Sequence, residues 1–568
     1  MLKFAVFDSA PLSPAGAAGL PVPAKGFLLR HAHLLGPDDV AIPSEIGFAD
    51  GYITASKRIT GAAAISLQVN VPPATGSRNG GRLNLRTCLL PERAEPYLLT
   101  LELARHQVMM LLTKLEEWGL FDRGQEEPAM ARVTAALEAF TTALVESQRA
   151  GGKGFTPTAE KWARAALSES LAAGEQLCLL CSRIAHQRRL AGSLTEMAGA
   201  RLSAEDVSDH DAKDAPSHAA HHHSGGVVLA DAPAIGCAIN PAAFTPEWAL
   251  LAQQHFDFVS MPMRWVDLEP SEGKYAYQRT DKWIEWAIRT ARLPVHAGPI
   301  LDTSPRCVPR WLAIWEHDYE TLRDVVVEHF KAVVTRYRRT VSVWNVASGL
   351  CGVGGITLSP EQAMDLTRTC VLVVKKLQPT ARVIVEIAHP WGEYTGTPRG
   401  SRTVPPMIYG ELINQMQAPV DAFGVRLQMG TGEAGRACRD LLAVSAMLDR
   451  VGALERPVAV TVLGAPSTPA NVPEDALEPG VWGGSGDNAS GWTAETQAAW
   501  ATAVARIAAT KPYVSSVCWQ DLYDCPPGVA PAGEMTGGGL VSATLAAKPA
   551  LAALSGLRNT LRNRQPLN

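Results

Sequence analysis

This sequence is poor in the features that would place a protein in a membrane or on a nucleic acid. No uninterrupted apolar stretch reaches the roughly 18 residues that a membrane-spanning helix requires, so we expect no membrane partner. Charge of one sign is also lacking, because 52 Lys and Arg residues face 56 Asp and Glu residues and leave a net charge of -4. Such a balance provides no field that would attract a nucleic acid, and we expect no nucleic-acid partner.

Cysteines at disulfide or metal-binding spacing are missing as well. The ten cysteines are scattered, and several, such as Cys237 and Cys518, lie in apolar runs where a free thiol behaves as a small hydrophobic group. Cys178 and Cys181 lie in an apolar helical run without a second pair, which favours core packing over a redox or zinc motif. The N-terminal apolar run is too short for a secretory signal. We therefore expect a cytoplasmic protein with no disulfide framework, no metal and no cofactor.

The first 200 residues change their hydrophobic period once. Residues 1–95 alternate short apolar runs with Gly, Pro, Asp and Asn, and the stretches 63–71 and 82–90 have the period of two that is typical of β-strands. This pattern predicts a small β-rich, sandwich-like domain. Over residues 96–202 apolar residues recur at helical spacing, which predicts a helical hairpin or a three-helix bundle.

A polar segment follows the helical one. Residues 203–230 are rich in Asp and His and contain almost no aromatic residues, so they bury too little surface to offset the entropy of ordering. We predict a disordered, His-rich linker. A metal role for its histidines is the less favoured interpretation, because a tract without fixed ligand geometry is more often a solvated spacer.

Residues 231–560 alternate β-like and helical segments in strict order, which predicts parallel strands joined by helical crossovers. Eight such units over about this length fit a closed (β/α)8 TIM barrel, whose active site would lie at the C-terminal ends of the strands. The predicted strands are Ile235–Asn240, Phe258–Met263, Pro294–Leu301, Val341–Val346, Val383–Ile387, Ala422–Leu427, Val458–Leu463 and Val514–Trp519.

Two segments of this barrel carry a family likeness. In Met263–Tyr277 a Trp precedes Glu-Pro, which is followed by a Gly and two aromatic residues; Arg336–Val346 leads into the fourth strand through Val-Trp-Asn-Val. Both resemble the catalytic domain of glycoside hydrolase family 10, the xylanase-type family, in which the fourth strand ends in Trp-Asp-Val-Val-Asn-Glu. The resemblance implies a carbohydrate-active TIM barrel of the O-glycosyl hydrolase class with a glycan or glycoside as its partner.

The same resemblance shows a departure at both catalytic positions. A retaining glycosidase uses two carboxyl groups about 5 to 5.5 Å apart, one as acid/base and one as nucleophile. Here Gly349 stands at the acid/base position, and Val462, which follows Thr461 on the seventh strand, stands at the nucleophile position. The resemblance therefore implies that the parent retaining mechanism is lost.

Other carboxylates near the strand ends are candidates for a relocated site. Glu386 interrupts an apolar strand, and an inward carboxylate there is costly unless it is paired or used. It could act in catalysis with Asp302 or Asp521. The favoured interpretation is a structural ion pair with Arg426, with His389 as a further possible partner.

The resemblance also indicates residues for substrate binding. Indole rings stack on sugar rings and polar side chains bond their hydroxyls, although Trp residues in large barrels are equally common in the core. The predicted substrate-binding residues are Arg264, Trp265, Asn345, Arg426, Gln428 and Trp519.

Three functions remain open at this point. The favoured one is a barrel that binds a glycan or glycoside and has lost the parent cleavage. The second is an active O-glycosyl hydrolase with a relocated carboxylate pair around Glu386, which predicts two carboxyls facing each other across the mouth. The third is a non-enzymatic interaction scaffold, which predicts a large apolar patch on residues 1–205 and no usable pocket in the barrel.

Overall fold

The computed structural model describes most of the chain outside several loops. The described residues are 1–7, 27, 29–71, 74, 81–124, 126–149, 155–193, 229, 231–350, 356–393, 404–430, 435–468, 492–524, 535 and 537–567. The linker predicted over 203–230 lies outside them, except for Leu229. Within this described part, none of the helices combines the length and the apolar character needed to cross a lipid bilayer.

The N-terminal region forms two four-stranded sheets, as counted over its described residues. One has the strand order β4-β5-β1-β8 and the other β3-β2-β6-β7, and every pairing is antiparallel except that of β1 with β8. The strands are β1 Leu2–Ala5, β2 His33–Leu35, β3 Ala41–Ile42, β4 Ser44–Ala49, β5 Tyr52–Lys57, β6 Ala64–Val71, β7 Gly81–Arg86 and β8 Tyr97–Leu98. Both sheets bury their apolar residues in one core, and the predicted β-rich unit is confirmed.

Three helices follow, α1 Leu99–Glu117, α2 Pro128–Arg149 and α3 Pro157–Leu190. Helix α3 begins with Thr156 as its N-cap, whose hydroxyl accepts a hydrogen bond from the Ala159 amide at 3.0 Å, and with Pro157 in the first turn. The three helices pack on one another through small and aliphatic side chains. The predicted helical unit is therefore present, and its last described helix ends at Leu190.

The C-terminal region is a closed barrel of eight parallel strands within the described residues. Its ring is completed where β17 pairs with β9 and where β11 pairs with β13; the short β12 continues the third strand. The strands are β9 Ala234–Ala238, β10 Phe258–Met261, β11 Val295–Ala297, β12 Leu301–Asp302, β13 Val343–Ser348, β14 Arg382–Ile387, β15 Ala422–Gln428, β16 Val458–Gly464 and β17 Val514–Trp519. The (β/α)8 prediction is confirmed for each of the eight predicted strands.

Helices cover the outside of the barrel. Several begin at a capping side chain, and Ser359 forms a complete capping box with Gln362 ahead of Pro360. The helices are α4 Pro246–His255, α5 Trp265–Leu268, α6 Gln278–Glu285 with its π-helical continuation Trp286–Ala291, the 3-10 helix Arg310–Trp315, α7 Tyr319–Tyr337, α8 Pro360–Leu377, α9 Pro406–Gln415, α10 Leu441–Gly452, α11 Ala494–Thr510 and α12 Pro549–Arg562.

Helix α3 fixes the N-terminal region to the barrel. It packs against α10 and α11. The Arg189 guanidinium donates hydrogen bonds to the carbonyls of Ala509 at 2.7 Å and Lys511 at 3.2 Å, at the C-terminal end of α11. The Ala509 carbonyl lies in the last turn of α11, where carbonyls lack partners within the helix, so the arginine satisfies it and meets the negative end of the helix dipole. The helical unit is thus attached by directed bonds as well as by apolar packing.

Candidate functional site

A cavity of about 370 Å³ lies inside the barrel and reaches the C-terminal ends of its strands. Barrel interiors are usually filled by layers of side chains, whereas the loops at this end form the active sites of TIM barrels. Polar groups from several strands surround the space. Its wall includes Arg264, Asp302, Asn345, Ser348, Gly349, Glu386, His389, Arg426, Gln428, Thr461, Val462 and Asp521.

Glu386 is the centre of a dense hydrogen-bond network at the mouth. Its Oε1 accepts from Ser348 Oγ at 2.6 Å and from Arg426 Nη2 at 2.9 Å and Nε at 3.1 Å. Its Oε2 accepts from Asn345 Nδ2 at 3.0 Å and Thr461 Oγ1 at 2.5 Å. Only 1% of the residue is exposed. Both carboxylate oxygens are therefore occupied by donors from four neighbouring side chains.

The electrostatics keep this carboxyl ionised. Burial raises the pKa of Glu386, but the charge of Arg426 and the hydrogen bonds from Ser348, Thr461 and Arg426 outweigh burial and hold the pKa below its ordinary value. Burial lowers the pKa of Arg426 in turn, and the charges of Glu386 and Asp302 more than reverse this effect. An ionised carboxylate has no proton to give, so Glu386 is unsuited to protonate a leaving group.

The three candidate carboxylates do not form a facing pair of independent groups. Asp302 Oδ2 lies 3.5 Å from Arg426 Nη2, the same nitrogen that binds Glu386. Its Oδ1 accepts from the Ser304 amide at 2.8 Å. Asp521 lies elsewhere on the wall, after β17. The arrangement places one guanidinium between Glu386 and Asp302.

The two positions that the resemblance assigns to catalysis do face the cavity. Gly349 lines it and has a φ of 73°, in the left-handed region that favours glycine. A Cβ there would lie 3.3 Å from Thr303 Oγ1. Val462 lines the cavity as well and is 7% exposed. Neither position carries an ionisable group, and a glutamate at residue 349 would require strained backbone.

Four of the six predicted substrate-binding residues line the cavity, namely Arg264, Asn345, Arg426 and Gln428. Trp265 and Trp519 are not among the described residues of its wall, and each is 1% exposed. Trp519 Nε1 donates to the Gly538 carbonyl at 3.0 Å. Both indoles are packed in the core, so the structure does not offer them for stacking on a ligand in this cavity.

Trp265 instead belongs to a buried cluster of hydrogen-bonded and stacked side chains in the segment that follows β10. Its Nε1 donates to Glu269 Oε2 at 2.7 Å, and its ring stacks on His329 with 4.2 Å between centroids. The Gly273 amide donates to Glu269 Oε1 at 2.7 Å. Burial raises the pKa of Glu269, but hydrogen bonds from His329, Trp265, Gly273 and Tyr275 lower it to about 2. The Trp and Glu-Pro motif behind the family likeness is thus structural here.

One wall residue has an unused acceptor. Asn345 is 7% exposed, and its Nδ2 is bonded to Glu386. Its amide Oδ1 is buried and has no hydrogen-bond partner among the described residues. A buried acceptor without a donor is costly. Asn345 itself lies on the cavity wall.

Ser348 and Thr461 are site residues that the sequence analysis did not single out. Each is a polar residue near the C-terminal end of an apolar barrel strand, and each lies next to one of the assigned positions, Gly349 and Val462. This placement could have identified both residues from the sequence. Two polar residues that interrupt buried strands at the same end of a barrel are expected to meet there.

The N-terminal sheet reaches the loops that form part of the cavity wall. The Asn84 amide on β7 donates to the Cys438 carbonyl at 2.8 Å, and Asn84 Nδ2 donates to Glu393 Oε1 at 2.9 Å. Glu393 is also bonded to Arg439, whose guanidinium lies 4.1 Å from the ring centroid of Trp391. We call these five residues the loop clamp. The segments that it joins follow β14 and β15, which also supply His389 and Arg436 to the wall.

Metal ligands are not grouped in the part of the chain that the structure describes, where no set of three or more His, Cys, Asp or Glu side chains is placed to hold an ion. Two half-buried thiols are also poor nucleophiles, because their pKa values are raised. Burial raises the pKa of Cys307, on the cavity wall, to about 11. Burial likewise raises the pKa of Cys181 to about 11, which agrees with the predicted packing role of this residue.

Solved structures that are similar to this chain include xylanases. Native xylanase 10B from Thermotoga maritima has a TM-score of 0.45 and 16% sequence identity, over 58% of this chain and 96% of the other. Xylanase 10B from Thermotoga petrophila RKU-1, solved in complex with xylobiose, has a TM-score of 0.44 and 16% identity, over 59% of this chain and 95% of the other.

Sequence comparison points to the same group. Endo-1,4-beta-xylanase B from Thermotoga neapolitana is 27% identical over 86 residues, which are 15% of this chain. This chain spans only 24% of that relative's own length. Residues 227–351 match the model of glycosyl hydrolase family 10. They cover the first four strands of the barrel, including the segment that ends at Gly349. Residues 227–351 of the barrel are therefore similar to glycosyl hydrolase family 10.

Proposed function

We propose that the barrel binds a glycan or glycoside in the cavity at its C-terminal mouth and does not cleave it by a retaining mechanism. The observation that carries this proposal is the state of the mouth carboxylates. Gly349 and Val462 leave the two assigned positions without an ionisable group, and the charge of Glu386 is held by Arg426 at 2.9 Å. Retaining hydrolysis needs one protonated and one free carboxyl.

The chemistry of the wall supports a polyhydroxylated ligand. A sugar hydroxyl both donates and accepts hydrogen bonds. Asn345 Oδ1 is a buried acceptor that needs a donor, and Gln428 and Arg426 on the same wall supply donors. The volume of about 370 Å³ is within the range of small-molecule sites, about 300 to 1,000 Å³.

Hydrolysis by a relocated carboxylate pair is a second candidate. Its support is the location of Glu386, Asp302 and Asp521, which all lie on one cavity wall at the end where TIM-barrel enzymes work. Against it, Arg426 joins Glu386 and Asp302, so a substrate would have to displace a buried ion pair before either carboxylate could act.

The interaction-scaffold alternative has less support. In the described part of residues 1–205, the large exposed apolar residues lie in helices and outside the strands, such as Met109 in α1 and Ile59 and Phe121 in connecting segments. Scattered apolar residues are normal on protein surfaces. The barrel cavity also offers a pocket that this alternative does not require.

We also propose a cytoplasmic location. Its support is the state of the cysteines, because each cysteine that the structure describes is a free thiol. Free buried thiols persist most readily in a reducing compartment.

The test compares hydrolysis with binding in the purified full chain. We expect no turnover of aryl xylosides, aryl cellobiosides or soluble xylan above the blank, and measurable binding of xylobiose or another member of an oligosaccharide panel by titration calorimetry. Asn345→Ala should weaken that binding, because it removes the buried acceptor. Glu328→Gln, on the exposed face of α7, is the control and should bind as the wild type does.

Two results would overturn the proposal. Turnover that disappears in Glu386→Gln but persists in Glu328→Gln would establish the relocated active site. Failure of every saccharide in the panel to bind would remove the carbohydrate function altogether.

A further inference from the structure

The charged side chains of the cavity wall differ in how far they reach solvent. The arginines on the described wall are Arg264, Arg306, Arg426 and Arg436, and all four are partly exposed. The carboxylates are mostly hidden, because Glu386 is 1% exposed and Asp302 is 8% exposed, both beside Arg426. Among the acidic side chains on the described wall, Asp521 is partly exposed, as the arginines are. A ligand therefore meets mainly guanidinium groups.

These arginines approach the cavity from opposite sides. Arg264 follows β10, whereas Arg426 lies on β15, and the two strands are four places apart in the eight-stranded ring. Arg264 Nη2 donates to the Arg306 carbonyl at 2.7 Å, which joins the segments that carry these two arginines. Arg436 follows β15 on the other side. A small ligand between the two sides lies within reach of positive charge from both.

The charges of the arginines also affect the pKa of a neighbouring histidine, His389. Burial is the largest cause that lowers the pKa of His389, and the charges of Arg426 and Arg436 lower it further. The opposing charges of Asp302 and Glu393 do not restore it. His389 therefore contributes hydrogen-bonding capacity without charge at neutral pH.

We propose that this cavity selects a saccharide that bears an oxyanion over the neutral sugar with the same ring. The oxyanion is the carboxylate of a uronic acid or the phosphate of a sugar phosphate. This inference rests on the proposed saccharide binding and specifies its ligand class. Arginine presents a planar fork of donors that matches a carboxylate or phosphate, and such bonds are strong where water is partly excluded. The four wall arginines together are assigned to the anion, although Arg426 also binds Glu386 and Arg264 is also paired with Asp267 at 3.4 Å.

The experiment uses two ligands that differ by one carboxylate. Methyl β-D-xylopyranoside and methyl β-D-glucopyranosiduronate share their ring and hydroxyls, and only the second has a carboxylate on C5. We expect titration calorimetry of the full chain to give an affinity about tenfold higher for the uronide, with a preference that shrinks at high salt as charges are screened. Glucose 6-phosphate against glucose is the second arm, and it distinguishes a phosphate from a carboxylate as the source of the oxyanion.

A pair of arginine variants tests the assignment. Arg436→Gln should reduce the ratio of the affinity for the uronide to the affinity for the neutral xyloside. Arg289→Gln, at an exposed position on the π-helical turn and 77% exposed, is the matched control and should retain the full preference. Because both variants lose one positive charge, a change confined to Arg436→Gln reports the cavity and not the net charge.

The possible outcomes separate the two proposals. Equal or tighter binding of the neutral xyloside overturns the inference and leaves saccharide binding intact. A preference for the uronide that survives in Arg436→Gln and is insensitive to salt also overturns it. Binding of neither the neutral nor the charged member of both arms overturns saccharide binding itself.

Discussion

Arg426 controls the chemistry of the barrel mouth, because it is the cation nearest to two of the three candidate carboxylates. Its guanidinium neutralises Glu386, which would otherwise be an isolated charge in the barrel interior. A buried ion pair adds little net stability compared with apolar packing, but breaking such a pair is expensive. Single and double substitutions at these positions should therefore differ strongly.

We expect Arg426→Met to lower the free energy of unfolding by about 3 to 5 kcal/mol at neutral pH, because it leaves the buried Glu386 charge without a partner. The double variant Arg426→Met with Glu386→Gln should recover a large part of that loss. Urea unfolding of the four proteins in a double-mutant cycle measures the coupling. Additive losses in the double variant would mean that the ion pair does not act as a unit.

Glu269 should make the fold sensitive to acid. Its pKa, about 2 in the folded protein, lies below that of a free glutamate. A group whose pKa is lowered by folding stabilises the protein above its unfolded pKa, and this contribution is lost as the pH falls toward the folded value. We expect Glu269→Gln to flatten the acid limb of the stability profile between about pH 4.5 and 2. Glu320→Gln, at an exposed position on α7, should leave the limb unchanged.

At the scale of elements, the loop clamp couples a strand of the N-terminal sheet to two barrel loops. Asn84, Glu393 and Arg439 are 4%, 3% and 4% exposed, so their mutual bonds are shielded from water. The residues are distant in sequence, and only the docking of β7 onto the barrel brings them together. The N-terminal unit therefore supports the loops of the cavity wall, although none of its described residues lines the cavity.

Asn84→Ala should loosen those two loops. It removes a donor from the buried Glu393, with an expected cost of about 1 to 3 kcal/mol. Hydrogen exchange measured by mass spectrometry should rise in the described segments 387–393 and 435–440, while the strands of the barrel keep their protection. Asn70→Ala, an exposed position on β6, is the control. Unchanged exchange in both segments would show that the clamp is not needed to hold them.

At the scale of the whole molecule, the N-terminal region and the barrel share one core. A contiguous cluster of buried side chains includes Phe4 and Leu67 from the two sheets, Leu171 from α3 and Leu442 from the barrel helix α10. Charged contacts follow the same boundary, such as Lys114 with Asp449 at 3.0 Å. Elements that share a core and buried bonds are expected to unfold together.

We expect a single cooperative unfolding transition for the full chain. Tryptophan fluorescence, which is dominated by the barrel, and far-ultraviolet circular dichroism, which also reports α1 to α3, should give the same midpoint in urea. A fragment that begins at residue 231 should unfold at a lower urea concentration, because it exposes the faces of α10 and α11 that α3 covers. Two separate transitions in the full chain would contradict a shared core.

Much of this architecture was readable from the sequence. The eight barrel strands follow from short apolar segments that alternate with helical ones, since local periodicity depends on which side of an element is buried. The resemblance to glycoside hydrolase family 10 implied that Gly349 and Val462 stand at the catalytic positions. The pairing of Glu386 with Arg426 was predicted from the residues themselves. A charge inside an apolar strand needs a partner, and a neighbouring strand supplies it.

The tertiary structure alone decided the rest. Trp519 ends β17 and Trp265 begins α5 shortly after β10. Near a strand end a side chain can face either the cavity or the surrounding packing, and local sequence does not distinguish these directions. The loop clamp joins residues more than 300 positions apart through Asn84 and Glu393. Such contacts depend on how whole elements dock, because their energy comes from burying complementary groups that approach only in the folded chain. Periodicity determined the elements, and docking determined which side chains meet at the site.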